Sequence, residues 1–134
     1  MSNFFKDNED LAFYYRKDGG IDWDELVEVT EYGYRTQDGF KNAAEALTFY
    51  REVAEMVGEL AADEIAPRSP KIDREEVRVE GGEAMPGPAM TEIFERIRGV
   101  DLHRLCLPRE VGGLNAPLLT YFVNIELIDR KSVV

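Results

Sequence analysis

The feature that most restricts the fold is segment 118–130, which has apolar side chains around most of a predicted helix. At about 100° per residue they form two faces: Leu118, Tyr121, Phe122, Ile125 and Ile128 on one, Leu119, Val123 and Leu127 on the other. Only the sector of Thr120 and Asn124 is polar enough to face water. Such a helix is expected inside a larger body than the rest of this chain can supply, so the sequence predicts part of a larger protein.

Length and charge narrow the class of protein. The chain has 134 residues, of which 44% are hydrophobic, enough for one core, so we expect a single domain. Sixteen basic residues against 27 acidic ones give a net charge of −11. Phosphate backbones and anionic lipid surfaces would be repelled by this charge. The sequence therefore predicts no nucleic-acid partner and no membrane partner.

The cysteine content and the amino-terminal residues bear on location. One cysteine and one histidine leave neither a disulfide framework nor the repeated Cys/His spacing of a zinc site. The opening residues are acidic and lack the apolar run of a signal peptide, and no apolar stretch is long enough to span a bilayer. These features predict a soluble, cytoplasmic protein with no metal ligands.

Residues 1–41 are predicted to be a leader with two short helices, 8–15 and 23–32, followed by a glycine-containing loop. Asp22, with Glu25 three residues on, is typical of a helix start. The strongest periodicity covers 42–65, where apolar residues recur every three or four positions. It predicts one amphipathic helix of roughly 36 Å, begun by Asn42 and ended by Pro67.

The second half of the sequence has weaker patterns. Residues 68–88 are charged or rich in glycine and proline and predict a surface connection, with no convincing strand pair. Thr91 is predicted to cap a short helix that Gly99 ends, and Asn115 with Pro117 to open the last helix. Together the patterns predict an all-α, bundle-like fold in which residues 42–134 form one structural unit with the leader.

Four segments occur in an order typical of one enzyme family. They are Leu60-Ala-Ala-Asp-Glu-Ile-Ala-Pro-Arg68, Lys71-Ile-Asp-Arg-Glu75, Leu107-Pro-Arg-Glu-Val-Gly-Gly113 and the helix from Leu118 to Arg130. Together they resemble the N-terminal helical domain of the acyl-CoA dehydrogenases, over residues 42–130. The most specific element is the Pro-x-x-x-Gly-Gly turn, here Pro108, Gly112 and Gly113, which is followed by a helix with an internal glutamate, Glu126. Residues 4–11 and 21–24 are similar to a leader of some bacterial members.

The resemblance implies a complete enzyme that removes hydrogens from Cα and Cβ of an acyl-CoA, with a glutamate base for the α-proton and FAD for the β-hydride. In the family, a middle β-domain and a C-terminal helical domain hold the flavin, and the latter supplies the base. No residue of this chain matches those parts, so we expect no catalytic, cofactor-binding or metal residue here, and the substrate-pocket residues stay unknown. The family's next helical segment lines the acyl pocket, whereas this sequence reads Lys131-Ser-Val-Val134 and departs from that pattern.

Two functions of different classes follow from the last helix. The first is the N-terminal part of such a flavoenzyme, which packs against the missing domains through the helix Leu118–Ile128 and closes one side of the acyl site. The alternative is a stand-alone helical interaction module that docks to a partner chain through the same helix. Either predicts an oligomer or self-association of the isolated chain. A weaker third option is a small acyl-chain carrier.

Several residues have a functional and a structural interpretation. The pair Gly112-Gly113 could cradle a phosphate, although the usual spacing, preceding strand and lysine are missing. Glu126 could be a carboxylate with a raised pKa or a structural contact to an arginine or a helix end. His103 and Cys106 could pair as base and thiol, or be an exposed histidine and a buried apolar cysteine.

Two further groups of residues also have both a functional and a structural interpretation. Acidic residues next to two glycines resemble a calcium loop, but the ligand spacing fits poorly and a capped helix start is the simpler interpretation; they are Asp22, Asp24 and Glu25 with Gly19 and Gly20. Five aromatic residues could form a binding surface or pack in the core; they are Tyr14, Tyr15, Trp23, Tyr32 and Tyr34.

Overall fold

The structure, a computed structural model, describes residues 2–130 and is mostly helical. Its α-helices are α1 (Glu9–Tyr14), α2 (Trp23–Thr30), α3 (Ala43–Leu60), α4 (Ala66–Arg74), α5 (Pro88–Gly99) and α6 (Leu118–Asp129). A π-helical turn, Ala61–Ile65, joins α3 to α4, and short 3-10 turns lie at Tyr32–Tyr34, Leu102–Arg104 and Arg109–Val111. The two strands are β1 (Arg78–Glu80) and β2 (Glu83–Met85). The predicted mainly helical class is confirmed, whereas the expectation for residues 131–134 lies outside the described residues.

Side-chain caps begin the two helices that the sequence marked most clearly. The Asp22 carboxylate accepts from the backbone amide of Glu25 at the start of α2, at 3.0 Å. Asn42 does the same for the amide of Glu45 at the start of α3, at 2.9 Å. Each cap satisfies an amide that has no partner inside the helix. The predicted starts at Asp22 and Asn42 are therefore confirmed.

Pro67 does not end the long helix, and the prediction that it would is wrong. A proline inside a helix lacks one amide donor and clashes with the carbonyl four residues earlier. Here the chain widens into the π-helical turn before it, where the amide of Ala66 donates to the carbonyl of Ala61, five residues back. Pro67 then lies in the first turn of α4, where proline is tolerated. The first part of the predicted surface connection is thus helix α4.

A strand pair occupies the middle of that connection, although the sequence showed no convincing one. Arg78 is opposite Met85 and Glu80 is opposite Glu83 in an antiparallel hairpin. Its two-residue turn has positive φ angles of 61° at Gly81 and 86° at Gly82, which glycine adopts readily. All six strand residues are exposed, so the hairpin has no buried face to produce an alternating pattern.

Helix α5 begins earlier than predicted. Its first residue is Pro88, whose fixed φ suits the first helical position, and Thr91 lies one turn inside the helix. The Thr91 hydroxyl donates to the carbonyl of Gly87 at 3.1 Å, so it does not act as an N-cap. The predicted end at Gly99 is confirmed.

The core lies between the leader, α3 and α6. Aromatic rings connect the leader to the long helix: Tyr15 stacks on Trp23 with centroids 5.4 Å apart, and Trp23 lies 6.2 Å from Tyr50. The buried members of this cluster are Phe5, Leu11, Tyr15, Trp23, Val27, Ala43, Ala46, Leu47, Tyr50, Ala54, Val57, Leu105, Ala116, Val123 and Leu127. Among residues 2–130, no helix has the length and hydropathy needed to cross a bilayer.

Candidate interaction surface

Helix α6 is rotated so that its polar sector is inside. Thr120 and Asn124 are only 1% and 2% exposed, and the apolar residues buried beside them are Val123 and Leu127. The predicted water-facing sector of Thr120 and Asn124 is therefore wrong.

The opposite side of α6 is apolar and open. Leu118 is 61% exposed and Phe122 60%, and Tyr121 and Ile125 are also exposed. These four side chains occupy successive turns on one side of the helix. We call them the α6 face. Because large exposed apolar patches on soluble domains mark interaction sites, the α6 face is the candidate functional surface.

Thr120 tolerates burial because its hydroxyl is satisfied locally. The hydroxyl donates to the carbonyl of Pro117 at 2.7 Å, and the sulfur of Cys106 lies 3.5 Å from the Thr120 hydroxyl oxygen. The side-chain oxygen of Asn124, by contrast, has no hydrogen-bond partner among residues 2–130. Burial of an unpaired amide oxygen is unfavourable, so something other than side-chain polarity must set the rotation of α6.

The turn before α6 folds back on itself. The amide of Asn115 donates to the carbonyl of Leu107 at 2.9 Å, and the amide of Ala116 to that of Leu105 at 3.0 Å. Residues 104–117 thus form a compact, hydrogen-bonded turn that leads directly into α6.

The two glycine amides of this turn are both engaged. Gly113 donates to the carbonyl of Pro108 and Gly112 to that of Arg109, each at 2.9 Å. Because neither amide points to an open site, the phosphate-cradle interpretation of Gly112-Gly113 does not fit the structure.

A buried ion pair connects the leader (residues 1–41) to the turn before α6, and no sequence pattern indicated it. The guanidinium of Arg109 donates two hydrogen bonds of 2.7 Å to the carboxylate of Glu31, which is 0% exposed. The hydrogen bond to Glu31 raises the pKa of Arg109 above its ordinary value. At the other end of the turn, the side-chain amide of Asn115 donates to the carbonyl of Thr30. We call these contacts, Thr30–Asn115 and Glu31–Arg109, the clasp.

The remaining sequence candidates are not assembled into a catalytic or metal site. Glu126 is exposed on α6. His103 is exposed, while the Cys106 sulfur is half-buried and contacts Pro117 and Thr120 rather than the histidine. Within residues 2–130, no group of three or more His, Cys, Asp and Glu side chains could hold a metal ion.

The five aromatic candidates are divided between core and surface. Tyr15 and Trp23 are buried, as the core interpretation expected, whereas Tyr14 and Tyr32 are exposed and Tyr34 is half-buried. They therefore do not form one binding surface.

A second apolar feature is concave. A cleft of about 610 Å³ lies between α4, α5 and the end of α6, and Ile93, Ile97 and Ile128 contribute to its walls. Asp73 and Asp129 also line it. Their carboxylates would repel the anionic head of a fatty acid or the phosphates of an acyl-CoA, which disfavours the acyl-carrier option.

Two buried tyrosines make the free energy of unfolding depend on pH in the alkaline range. The hydroxyls of Tyr15 and Tyr50 have no partner among residues 2–130, and burial raises the pKa of each above its ordinary value of 10.0. Above pH 10 the unfolded chain loses these protons and the folded chain keeps them, so stability falls as pH rises. The slope reaches about 1.4 kcal/mol per pH unit for each tyrosine.

We expect the variant Y15F/Y50F to be as stable as wild type at pH 7 or slightly more so, because it removes two unpaired hydroxyls. It should also unfold at higher pH than wild type. Urea titrations between pH 7 and 12 measure both effects, with Y121F on the exposed α6 face as the control. Equal alkaline slopes for wild type and Y15F/Y50F would contradict the prediction.

Comparison with known proteins gave no relatives. A scan against protein-family models, a search of curated proteins and a search of solved structures each found no match. The resemblance to acyl-CoA dehydrogenases therefore rests on the sequence segments alone.

Proposed function

We propose that this chain is the bundle-like N-terminal helical domain of an acyl-CoA dehydrogenase-like flavoenzyme, and that its α6 face docks onto the enzyme's other domains. The observation that carries the proposal is the exposure of Leu118, Tyr121, Phe122 and Ile125 on one side of α6. The four sequence segments in family order support the identity of the missing partner.

The α6 face is large enough to matter energetically. Complete burial of a large apolar side chain contributes roughly 1.5–3 kcal/mol, and these four are about half exposed in the isolated chain. A partner that covered all four would therefore gain several kcal/mol. Burial of apolar surface is the dominant favourable contribution in most protein–protein association.

In this proposal the chemistry lies on the other domains. The other domains would hold FAD and a glutamate base, which together would supply the α,β-dehydrogenation of the acyl-CoA. This chain contributes the packing surface and closes one side of the acyl site. The same face suits the second candidate, a stand-alone helical interaction module, in which the occupant is an unrelated partner chain.

The first test separates this division of labour from an autonomous enzyme. Purified chain is mixed with FAD and an acyl-CoA, and flavin retention and electron-acceptor reduction are followed. We expect no yellow complex and no turnover. Stoichiometric flavin retention with turnover would overturn the proposal.

The second test concerns the α6 face itself. We expect wild type to self-associate in light scattering and to bind a hydrophobic dye, because the face lacks a cover. In F122E/I125E the dye signal should fall severalfold, and the chain should be monomeric. The matched control is V77E/V79E, which changes two exposed valines outside the face. A monomeric wild type that binds no dye would argue against docking.

The coding sequence beyond Val134 distinguishes the two candidates. A β-rich flavin domain in the same frame is expected for the flavoenzyme. An unrelated continuation or a stop codon favours the stand-alone module.

A further inference from the structure

The clasp holds both ends of the turn that leads into α6. Glu31 binds Arg109 near the beginning of the turn, and Thr30 binds Asn115 near its end. The two leader residues are adjacent in sequence, at the carboxyl end of α2. The position of α2 therefore fixes both Arg109 and Asn115 of the turn.

The backbone on both sides of the clasp is strained. Immediately after Glu31, Tyr32 has φ of 52° and Tyr34 has φ of 60°, and Asn115 has φ of 57°. Residues other than glycine adopt such angles at a cost, and they persist where surrounding contacts determine the backbone. Here the surrounding contacts include the clasp.

Side-chain burial alone defines the rotation of α6 weakly. The helix is apolar around most of its circumference, so a roll of half a turn about its axis would exchange the buried Val123 and Leu127 for Leu118 and Phe122 and would expose Thr120 and Asn124. That alternative would remove the buried unpaired oxygen of Asn124. The polarity of the α6 side chains therefore does not account for the observed rotation, and the contacts of the segment to which α6 is attached are the candidate determinant.

We propose that the clasp sets the rotation of α6 and thereby keeps the α6 face turned outward for its partner. A bidentate arginine–carboxylate pair suits this role because its two parallel hydrogen bonds permit only one relative orientation. Buried ion pairs can determine a unique arrangement while contributing little net stability. The inference rests on the proposed function only for the use of the face, since the orientation itself is a property of the isolated chain.

Thiol labelling at two positions of α6 tests the orientation directly. In a C106S background, F122C reports the outward side and N124C the inward side. We expect F122C to react at least about tenfold faster than N124C while the clasp is intact. In E31M/R109M, which leaves no unpaired charge, the ratio should fall to within about threefold, with slower F122C and faster N124C.

The ratio separates rotation from simple destabilisation. Unfolding accelerates both reporters, whereas a roll of α6 moves them in opposite directions. A folded E31M/R109M with an unchanged ratio, or one in which both rates rise together, would overturn the proposal. The matched control is R16Q/D18N, which removes an exposed ion pair of the leader and should leave the ratio unchanged.

A milder variant covers the case in which E31M/R109M does not fold. N115G removes the bond to Thr30 but keeps a residue that accepts positive φ, so it should fold. We expect a smaller fall in the ratio, and an unchanged ratio would overturn the proposal. No partner is present in these labelling measurements. They can therefore contradict the role of the clasp without contradicting the docking proposal, and a failure of the docking tests does not contradict the role of the clasp.

Discussion

Replacing Arg109 by methionine is expected to lower the free energy of unfolding by about 3–5 kcal/mol. The carboxylate of Glu31 is completely buried, and each of its two oxygens accepts one hydrogen bond from the guanidinium of Arg109. Without Arg109 a buried negative charge is left uncompensated. Urea unfolding followed by Trp23 fluorescence measures the loss, because this single tryptophan is buried in the core.

The reciprocal and double variants show whether the loss comes from the pair. E31M should cost less than R109M, because the Arg109 side chain is 20% exposed and can be hydrated. E31M/R109M should lie within about 1 kcal/mol of wild type, since an apolar pair of similar volume replaces the ion pair without leaving a charge. An R109M variant that loses less than about 1 kcal/mol would contradict the dependence of Glu31 on Arg109.

Local signals predicted the starts of α2 and α3 correctly because the interactions behind them are local. Asp22 and Asn42 accept from amides three residues ahead, so a few neighbouring residues contain the whole interaction. The apolar repeat of α3 is likewise a property of one segment. These elements were visible in the sequence for that reason.

The misplaced boundaries have identifiable causes. Pro67 was expected to end the helix, but a π-helical turn before it allows the chain to stay helical. A π-helical turn of this kind leaves no recognisable pattern in the sequence. The hairpin of β1 and β2 was missed because both of its faces are exposed, so no alternation of apolar and polar residues marks it.

The candidate surface was predictable only in part. The apolar composition of α6 predicts that another domain or chain covers it, and this stays a prediction; four of its apolar side chains are exposed in the described part of the chain. Its rotation could not be predicted, since both sides are apolar and the small polar residues Thr120 and Asn124 lie inside. The ion pair of the clasp joins residues 78 positions apart, and no periodicity or spacing connects Glu31 with Arg109.

Replacing Gly113 by alanine is expected to destabilise the fold by about 3 kcal/mol or more. A Cβ atom at this position would lie 1.9 Å from the carbonyl oxygen of Leu107. That oxygen accepts the amide of Asn115, so the methyl group would separate the two halves of the turn. Because the obstacle is backbone, rotation of a side chain cannot relieve the clash.

The neighbouring glycine provides the matched control. A Cβ on Gly112 meets nothing within 4 Å, but the residue has φ of +86°. G112A should therefore cost only the conformational strain of about 1–2 kcal/mol. Urea unfolding of both variants measures the difference, and equal losses would contradict it. The two glycines of the turn thus have separate roles: Gly112 permits the backbone reversal, and Gly113 leaves the space in which the chain folds back to begin α6.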